Sequence, residues 1–459
     1  MNKNKYTKKQ KKTIMRFRAV STRIFAVLML LGGIMGILLF LRPSTSNVEK
    51  RELTKFPKLT LASFLDGSFC SDVSLWYSDT FPMRDGLISI DQTLKTAYGV
   101  TTSTMMVGGN EQGDEIPTLS ADAEAEDGDT QDSLVDMVVD TSEEPAEEAE
   151  PVSAPDSEAM EAEIQNQIQK GLYVKDGAAY SVYYYSQSAA EIYTDALNQA
   201  AQELQGQADV YSILVPNNSG AMLPEDELHS LGGSDQTQAI AYYHSLYDKV
   251  KPVKTIETLR EHNDEYLYFR TDHHWTQLGA YYVYLNFCEE KGIEPHELSD
   301  FETMTFSPFL GTFYSQLMNG DMAKNPDTVT AYVPMGTNDM VYWDVDGTEY
   351  QWNIIEDVST WGDSSGYYCY IAGDKPLTII DNPEIEDGSS CLVLKESYGN
   401  CFVPFLVDHY DKVYVVDFRY ANVNVVDYVK ENNIQDLIVM NNITIIASDS
   451  VASTIAGLL

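Results

Sequence analysis

Arg270-Thr271-Asp272-His273-His274-Trp275-Thr276 sits where one hydrophobic pattern ends and another begins. Just before it, Tyr266-Leu267-Tyr268-Phe269 is a short aromatic run of the kind that forms a buried strand. Just after it, Thr276 is placed to cap a helix whose apolar positions Leu278, Tyr281, Tyr282, Leu285 and Cys288 recur at three and four, with Gly292 to end it. An acid and two of the chain's seven histidines therefore stand at a strand-to-helix junction, where open α/β sheets gather their functional groups.

The Asp-x-His spacing has a chemical reading. A catalytic imidazole needs one nitrogen free for the reacting group and the other held by an acceptor that sets tautomer and orientation. Residues two apart on extended backbone project to the same side, so Asp272 and His274 can enter one cleft while His273 points elsewhere. A surface loop with two ordinary histidines, or a turn anchored by Trp275, accounts for the same letters. A nucleophile elsewhere in the chain would decide between these readings.

The 459 residues carry a formal net charge of −40. Binding to phosphate backbones or anionic lipid surfaces requires clustered cations, so nucleic acid is not an expected partner. The charge is unevenly spread. Residues 1–23 hold nine Lys and Arg and no acid, and Ile24 to Leu41 is uncharged and apolar. That length suits a transmembrane helix, and Phe40-Leu41-Arg42-Pro43 offers no small-residue cleavage site, which favours an uncleaved signal-anchor. The basic flank stays in the cytoplasm and the C-terminal bulk lies outside. Residues 42–107 read as a helical lead-in. Residues 108–163 hold twenty Asp and Glu with no Lys or Arg, a composition expected to be disordered, and no Asp-x-Asp-x-Asp-Gly calcium loop is present.

The body is expected from residue 164 to the end. Short apolar runs at Val210–Val215, Cys391–Leu394, Lys412–Val416 and Asp436–Met440 alternate with helical segments such as Ala189–Leu204, Gln236–Lys249 and Val423–Asn432. That alternation predicts an α/β fold with a mostly parallel sheet and helices on both faces. The irregular Gly311–Gly388 region, rich in Tyr, Asp and Gly, predicts loops and antiparallel strands beside that sheet. Five cysteines at wide spacing imply no disulfide framework and no zinc site, and Cys288 and Cys391 read as core residues. No cofactor motif is present.

A nucleophile candidate is Ser397, in Leu394-Lys395-Glu396-Ser397-Tyr398-Gly399-Asn400-Cys401. It lies at a predicted strand-to-helix corner, beside amides able to stabilise an oxyanion. A helix-capping serine is the plainer alternative, and Lys395 stands where a Gly-x-Ser-x-Gly elbow would have its first glycine.

Asp272-His273-His274-Trp275, followed by Lys395-Glu396-Ser397-Tyr398-Gly399-Asn400-Cys401-Phe402-Val403-Pro404-Phe405-Leu406, closely resembles the bacterial DHHW family, which is related to the SGNH-like proteins of alginate O-acetylation. Lys50-Arg51-Glu52-Leu53, Phe81-Pro82-Met83-Arg84 and Asp417-Phe418-Arg419 extend the resemblance over most of the chain outside the acidic stretch. The resemblance implies a three-layer α/β/α fold preceded by one transmembrane helix. It implies Ser397 as nucleophile, His274 as base and Asp272 as its orienting acid, with Tyr398, Asn400, Arg419 and His273 as oxyanion or substrate contacts. Asn217, Asn400 and Asn441 are candidates for the SGNH asparagine. The implied activity is acetyl transfer to, or hydrolysis from, a cell-envelope polysaccharide, in partnership with a membrane-bound O-acyltransferase. Two other readings stand beside it. One is a scaffold or glycan-binding protein without turnover. The other is a DHH phosphoesterase metal site at Asp272-His273-His274, which would need further Asp motifs that the upstream sequence lacks.

Overall fold

A computed structural model of the chain describes residues 104–109, 111–119 and 157–459, with scattered positions among the first 82. Residues cluster into two units, one of Met1–Thr101 with Ser315–Gly320 and one of Thr102–Tyr314 with Asp321–Leu459. In the first, the Arg42 guanidinium lies 4.2 Å from the Trp76 ring centroid and donates to Thr80 Oγ1 (2.8 Å). The expected membrane segment falls almost wholly outside the described residues, among which no helix is long and apolar enough to cross a membrane.

The second unit is built on a sheet of eight strands: β1 (Asp209–Val215), β2 (Lys251–Pro252), β3 (Asp339–Trp343), β4 (Glu349–Asn353), β5 (Leu377–Asp381), β6 (Ser390–Lys395), β7 (Lys412–Asp417) and β8 (Asp436–Asn442). Their spatial order is β4-β3-β5-β7-β6-β8-β1-β2. From β7 to β2 every pairing is parallel. From β7 outward to β4 every pairing is antiparallel. The irregular region thus contributes β3, β4 and β5, antiparallel as expected, and they continue the main sheet beyond β7. A further ladder, Glu302–Phe309 with Asp327–Val333, does stand apart.

Side chains alternate across the central strands as a period of two requires. Ile213, Val393, Ile438 and Met440 join helix α2 (Gln277–Lys291) in one apolar core. The alternate residues face other helices: Tyr414 meets Tyr428, and Asn441 Oδ1 accepts from the Tyr193 hydroxyl (3.1 Å). Those partners lie on α1 (Gln187–Glu203) and α3 (Val425–Glu431), so helices cover both faces. Helix α4 (Asp449–Leu458) packs on α1. All four described cysteines, 288, 369, 391 and 401, are buried and unbridged; Cys70 lies outside the described residues.

The body begins earlier in sequence than the pattern suggested. Strand Thr104–Gly108 pairs with Gly171–Lys175, which pairs in turn with Ala178–Ser181. Asp114 N–H donates to Tyr185 O (2.8 Å), and Asp114 Oδ2 accepts from Gln187 N–H (2.9 Å). A helix already runs from Ser157. The edges of the 108–163 stretch expected to be disordered therefore belong to the folded unit, while its residues 120–156 lie outside those described. Backbone pairing with later segments claims the flanks, and composition is blind to such pairing.

Candidate active site

Helix α2 starts and stops as its sequence dictates. Thr276 Oγ1 accepts from Gly279 N–H (3.3 Å), and Gly292 closes the helix at φ +78°. Its buried positions are Gln277, Gly279, Ala280, Tyr281, Val283, Tyr284, Phe287 and Cys288, whereas Leu278, Tyr282 and Leu285 are half-buried. The core thus covers more of the helix than the five-residue stripe indicated.

The aromatic run before α2 is not a ladder strand. Tyr268 and Trp275 form an isolated bridge. Phe269 N–H donates to His274 O (3.2 Å) and Thr276 N–H to Leu267 O (2.8 Å). Leu267, Tyr268 and Phe269 are buried as a strand's would be, but their backbone closes a tight loop on itself. Asp327, wholly buried, ties the loop's entry down. Its Oδ1 accepts from Arg270 N–H (3.1 Å), and its Oδ2 from Thr271 N–H (2.7 Å) and Thr271 Oγ1 (2.6 Å).

From this loop Asp272 and His274 project to one side. His274 Nδ1–H donates to Asp272 Oδ1 (2.6 Å), and Ser397 Oγ–H donates to His274 Nε2 (2.8 Å). The tautomer follows from the carboxylate, which can only accept. Asp272 Oδ1 also accepts from His274 N–H (3.0 Å) and Oδ2 from Thr312 N–H (2.8 Å). Burial alone would raise the Asp272 pKa. The neighbouring imidazoles of His274 and His273 and the two kinds of hydrogen bond overcome it and hold the carboxyl well below the usual range. Tyr367 stacks on the His274 ring (centroids 3.9 Å, 12°) and donates to Ser397 O (2.9 Å).

Ser397 is carried just past the C-terminal end of β6, on a 3-10 turn spanning Ser397–Cys401. Besides the Ser397–His274 bond, two further contacts join that turn to the Asp-His-His-Trp loop. Trp275 Nε1–H donates to Tyr398 O (2.9 Å), and the Tyr398 hydroxyl donates to His273 O. Glu396, fully buried, accepts from Tyr398 N–H (2.8 Å) and from Asn442 N–H (2.8 Å), and burial raises its pKa.

The remaining candidates lie close by in different roles. His273 bonds through Nδ1 to Thr312 Oγ1 (2.7 Å), away from Ser397, and is pushed down to about 3, first by burial and then by His274. Tyr398 has both donors engaged, its amide by Glu396 and its hydroxyl by His273. Arg419 is buried and saturated: Nε and Nη2 donate to Asp417 (2.9 and 2.7 Å), Nη1 to Glu161 (3.1 Å), and Nη2 also meets Asp374 (2.8 Å). Lys395, equally buried, pairs with Asp417 (2.8 Å). Removing one member of such a network typically costs about 3–5 kcal/mol, because the partner charge is left buried and unmatched. Asn400 Nδ2–H donates to Asp374 (3.0 Å) and its buried Oδ1 has no partner. Asn217 is consumed by Thr444, Gln236 and its own turn, and Asn441 faces Tyr193 on the far side of the sheet. Asp327, Thr312, Tyr367, Asp374 and Asn442 carried no local signal; each reaches the site from a distant segment.

Asp272, His273 and His274 also bring ligand atoms within 4.8 Å of one another, the spacing of a metal site. Asp272 has both oxygens engaged by protein donors, and His274 has both nitrogens bonded, to Asp272 and to Ser397. A cation could enter only by breaking the bond to Ser397 or the one that orients the ring. The donor set therefore fits a hydrogen-bonded relay better than a metal centre.

Residues 49–416 match the family described as DHHW protein. The chain belongs to that family. A DHHW family protein from Eubacterium siraeum shares 28% identity, with 63% of this chain and 95% of that one covered at a TM-score of 0.56. PatB1 of Bacillus cereus shares 24% identity over 61% of this chain and 98% of its own, at a TM-score of 0.52. The PatB1 likeness is one of fold. No functionally curated protein matches this DHHW sequence. In this DHHW protein, Trp275 with Tyr398 and His274 with Ser397 join the two motif blocks into one site.

Proposed function

We propose that this chain is a serine acyltransferase or esterase of SGNH type, with a three-layer α/β/α body, which moves an acetyl group to or from a cell-envelope polysaccharide. The single observation that carries the reading is the continuous relay from Asp272 through His274 to Ser397, at 2.6 and 2.8 Å. Ser397 Oγ attacks the acyl carbonyl as its proton passes to His274 Nε2, and the imidazolium that forms is stabilised by Asp272. The collapsing intermediate expels the leaving alcohol, which takes the proton from Nε2. An acceptor hydroxyl, from a sugar or from water, then gives its proton to Nε2 and attacks the acyl-serine, and Nε2 returns that proton to Ser397 Oγ as the acyl–Oγ bond breaks. With the Tyr398 amide occupied by Glu396, the Ser397 amide, at the first position of its turn, is the donor proposed for the oxyanion.

Family membership and the extent of the uncharged run at 24–41 support placing this reaction outside the cytoplasmic membrane, on an anchored protein working beside a membrane-bound O-acyltransferase that supplies the acyl group. The test is turnover of p-nitrophenyl acetate. Ser397→Ala and His274→Ala should each remove nearly all of it, and the double variant should lose little more, because members of one catalytic unit are non-additive. A sulfonyl fluoride should label Ser397; PatB1 is known with a sulfonyl adduct. Full turnover in Ser397→Ala would sink the proposal.

A further inference from the structure

Beside the relay, the chain builds a second feature that the acyl-transfer chemistry does not use. Tyr367 turns inward, stacked on His274 and bonded to Ser397 O. Its neighbour Tyr368 is thereby presented outward, and it is 55% exposed. Tyr368 shares its loop with Trp361, 47% exposed. That loop abuts the relay's support, since Leu310 N–H donates to Asp363 O (2.8 Å) and Gly311 follows directly against Asp272. Tyr368 and Trp361 are two of the three exposed Phe, Tyr or Trp rings among the larger unit's described residues, the third being Tyr350, and Tyr368 directly follows the residue that stacks on His274.

Asp374 lies on the turn that follows. Arg419 Nη2, Lys395 Nζ and Asn400 Nδ2 all converge on Asp374 Oδ1, at 2.8, 3.4 and 3.0 Å. Oδ2 is left without a protein donor among the described residues, on a side chain that is 24% exposed. Burial would raise the Asp374 pKa, but Arg419 and Lys395 hold it far below the carboxylate range, so the group is a fixed anion. Asn400 stands three residues after Ser397 on a 3-10 turn, where side chains three apart share a face. It thereby ties Asp374 to the nucleophile's side of the turn, and its own buried Oδ1 is an acceptor without a donor.

The backbone that delivers Asp374 is strained. Ile371, Ala372 and Gly373 have φ of +42°, +57° and +76° in succession. A β-branched residue in the left-handed region is a genuine outlier, and such strain persists where surrounding structure enforces it, commonly at ligand sites. The same turn meets Tyr368, whose Cδ1 lies 3.4 Å from where a Cβ on Gly373 would stand. Burial, and after it the carboxylates of Asp374, Glu161 and Asp272, pushes the Tyr368 phenol up.

We propose that Tyr368 and Asp374 form a pyranose-binding subsite at the mouth of the Ser397 cleft. The ring offers its face to the C–H face of a sugar, and Asp374 Oδ2 accepts from the sugar's hydroxyls, a charge-assisted bond that an ester lacking hydroxyls cannot make. This deepens the acyl-transfer reading and rests on it for the purpose of the sugar, but binding can be measured without chemistry.

The test is calorimetric titration of the full chain carrying Ser397→Ala, in a detergent without sugar groups, with chitopentaose, cellopentaose and xylopentaose as probes. At least one should bind, and Tyr368→Leu or Asp374→Asn should weaken it about tenfold, the loss of one aromatic or charged contact. Tyr368→Trp, which keeps a ring, should retain affinity, and a merely structural role for Tyr368 would not discriminate Leu from Trp. Failure of all three sugars to bind, or equal binding to Tyr368→Leu, overturns the subsite. Binding of choline in place of the sugars, through the same ring and carboxylate, overturns it in favour of a cation site. If the sugar binds as expected while the Ser397 protein shows no acetyl turnover, the subsite stands and the acyl-transfer reading fails.

Discussion

Replacing Gly311 by Ala tests whether Asp272 positions His274, without touching either residue. A Cβ at 311 would stand 2.2 Å from Asp272 Oδ2, 2.3 Å from its Cβ and 2.6 Å from its Cγ. Gly311 is not among the residues with positive φ, so alanine adopts the backbone freely and the effect is one of space. The carboxylate must retreat by about 1 Å, and a misplacement of that size typically costs about 10²-fold in rate. Outright loss of an orienting carboxylate sets a ceiling near 10⁴-fold. The retreat also breaks the Thr312 N–H bond to Oδ2, now 2.8 Å, a hydrogen bond to charge worth about 1.5–3 kcal/mol. In a folded unit of this size that is a melting-temperature loss of several degrees. The assay is p-nitrophenyl acetate turnover with a thermal melt of the same preparation. Gly311→Ala should fold, melt several degrees lower, and lose kcat with little change in KM. Combining it with Asp272→Asn should cost less than the sum. A wild-type kcat in a protein with the lowered melt would refute the role given to Asp272.

Three further outcomes follow from the same structure. His244 is pushed down to about 4 by burial, so its unfolded form takes up a proton below about pH 6.5 that the native form does not. The folded pKa is depressed, so stability should fall as pH drops from about 6.5 toward 4, and His244→Leu should flatten that part of the melting-temperature profile; an unchanged slope would show that His244 does not titrate this way. Dialysis against EDTA should leave acetyl-ester turnover unaffected, because Asp272 and His274 spend their ligand atoms on one another and on Ser397; activity lost to EDTA and restored by zinc or manganese would revive the metal reading. Protease added to intact, wall-stripped cells should digest the body if the proposed orientation, drawn from the basic residues 1–23, is right; digestion only after permeabilisation would reverse the orientation.

Sequence alone determined what local patterns control. The runs at Val210–Val215 and Lys412–Val416 become β1 and β7 almost residue for residue, since a strand buried on both faces must be continuously apolar. Thr276 and Gly292 bound α2 because caps act within a turn. The i, i+2 relation of Asp272 and His274 was also local, and so was the corner position of Ser397. Tertiary structure decided everything that required distant segments to meet. Whether Tyr266–Phe269 would be a strand depended on Glu265, His274 and Thr276, whose backbone groups took its backbone bonds. Whether β3, β4 and β5 would stand apart or extend the main sheet depended on the free edge of β7. Arg419 reads as a substrate contact from its place in a motif, yet three acids from separate segments saturate it. Asp374 has no motif at all, and its position at the cleft comes from a strained turn and three cations or amides converging on one oxygen. Spacing along the chain reports periodicity and parity; which side chains share a cleft is set by the packing of elements far apart in sequence.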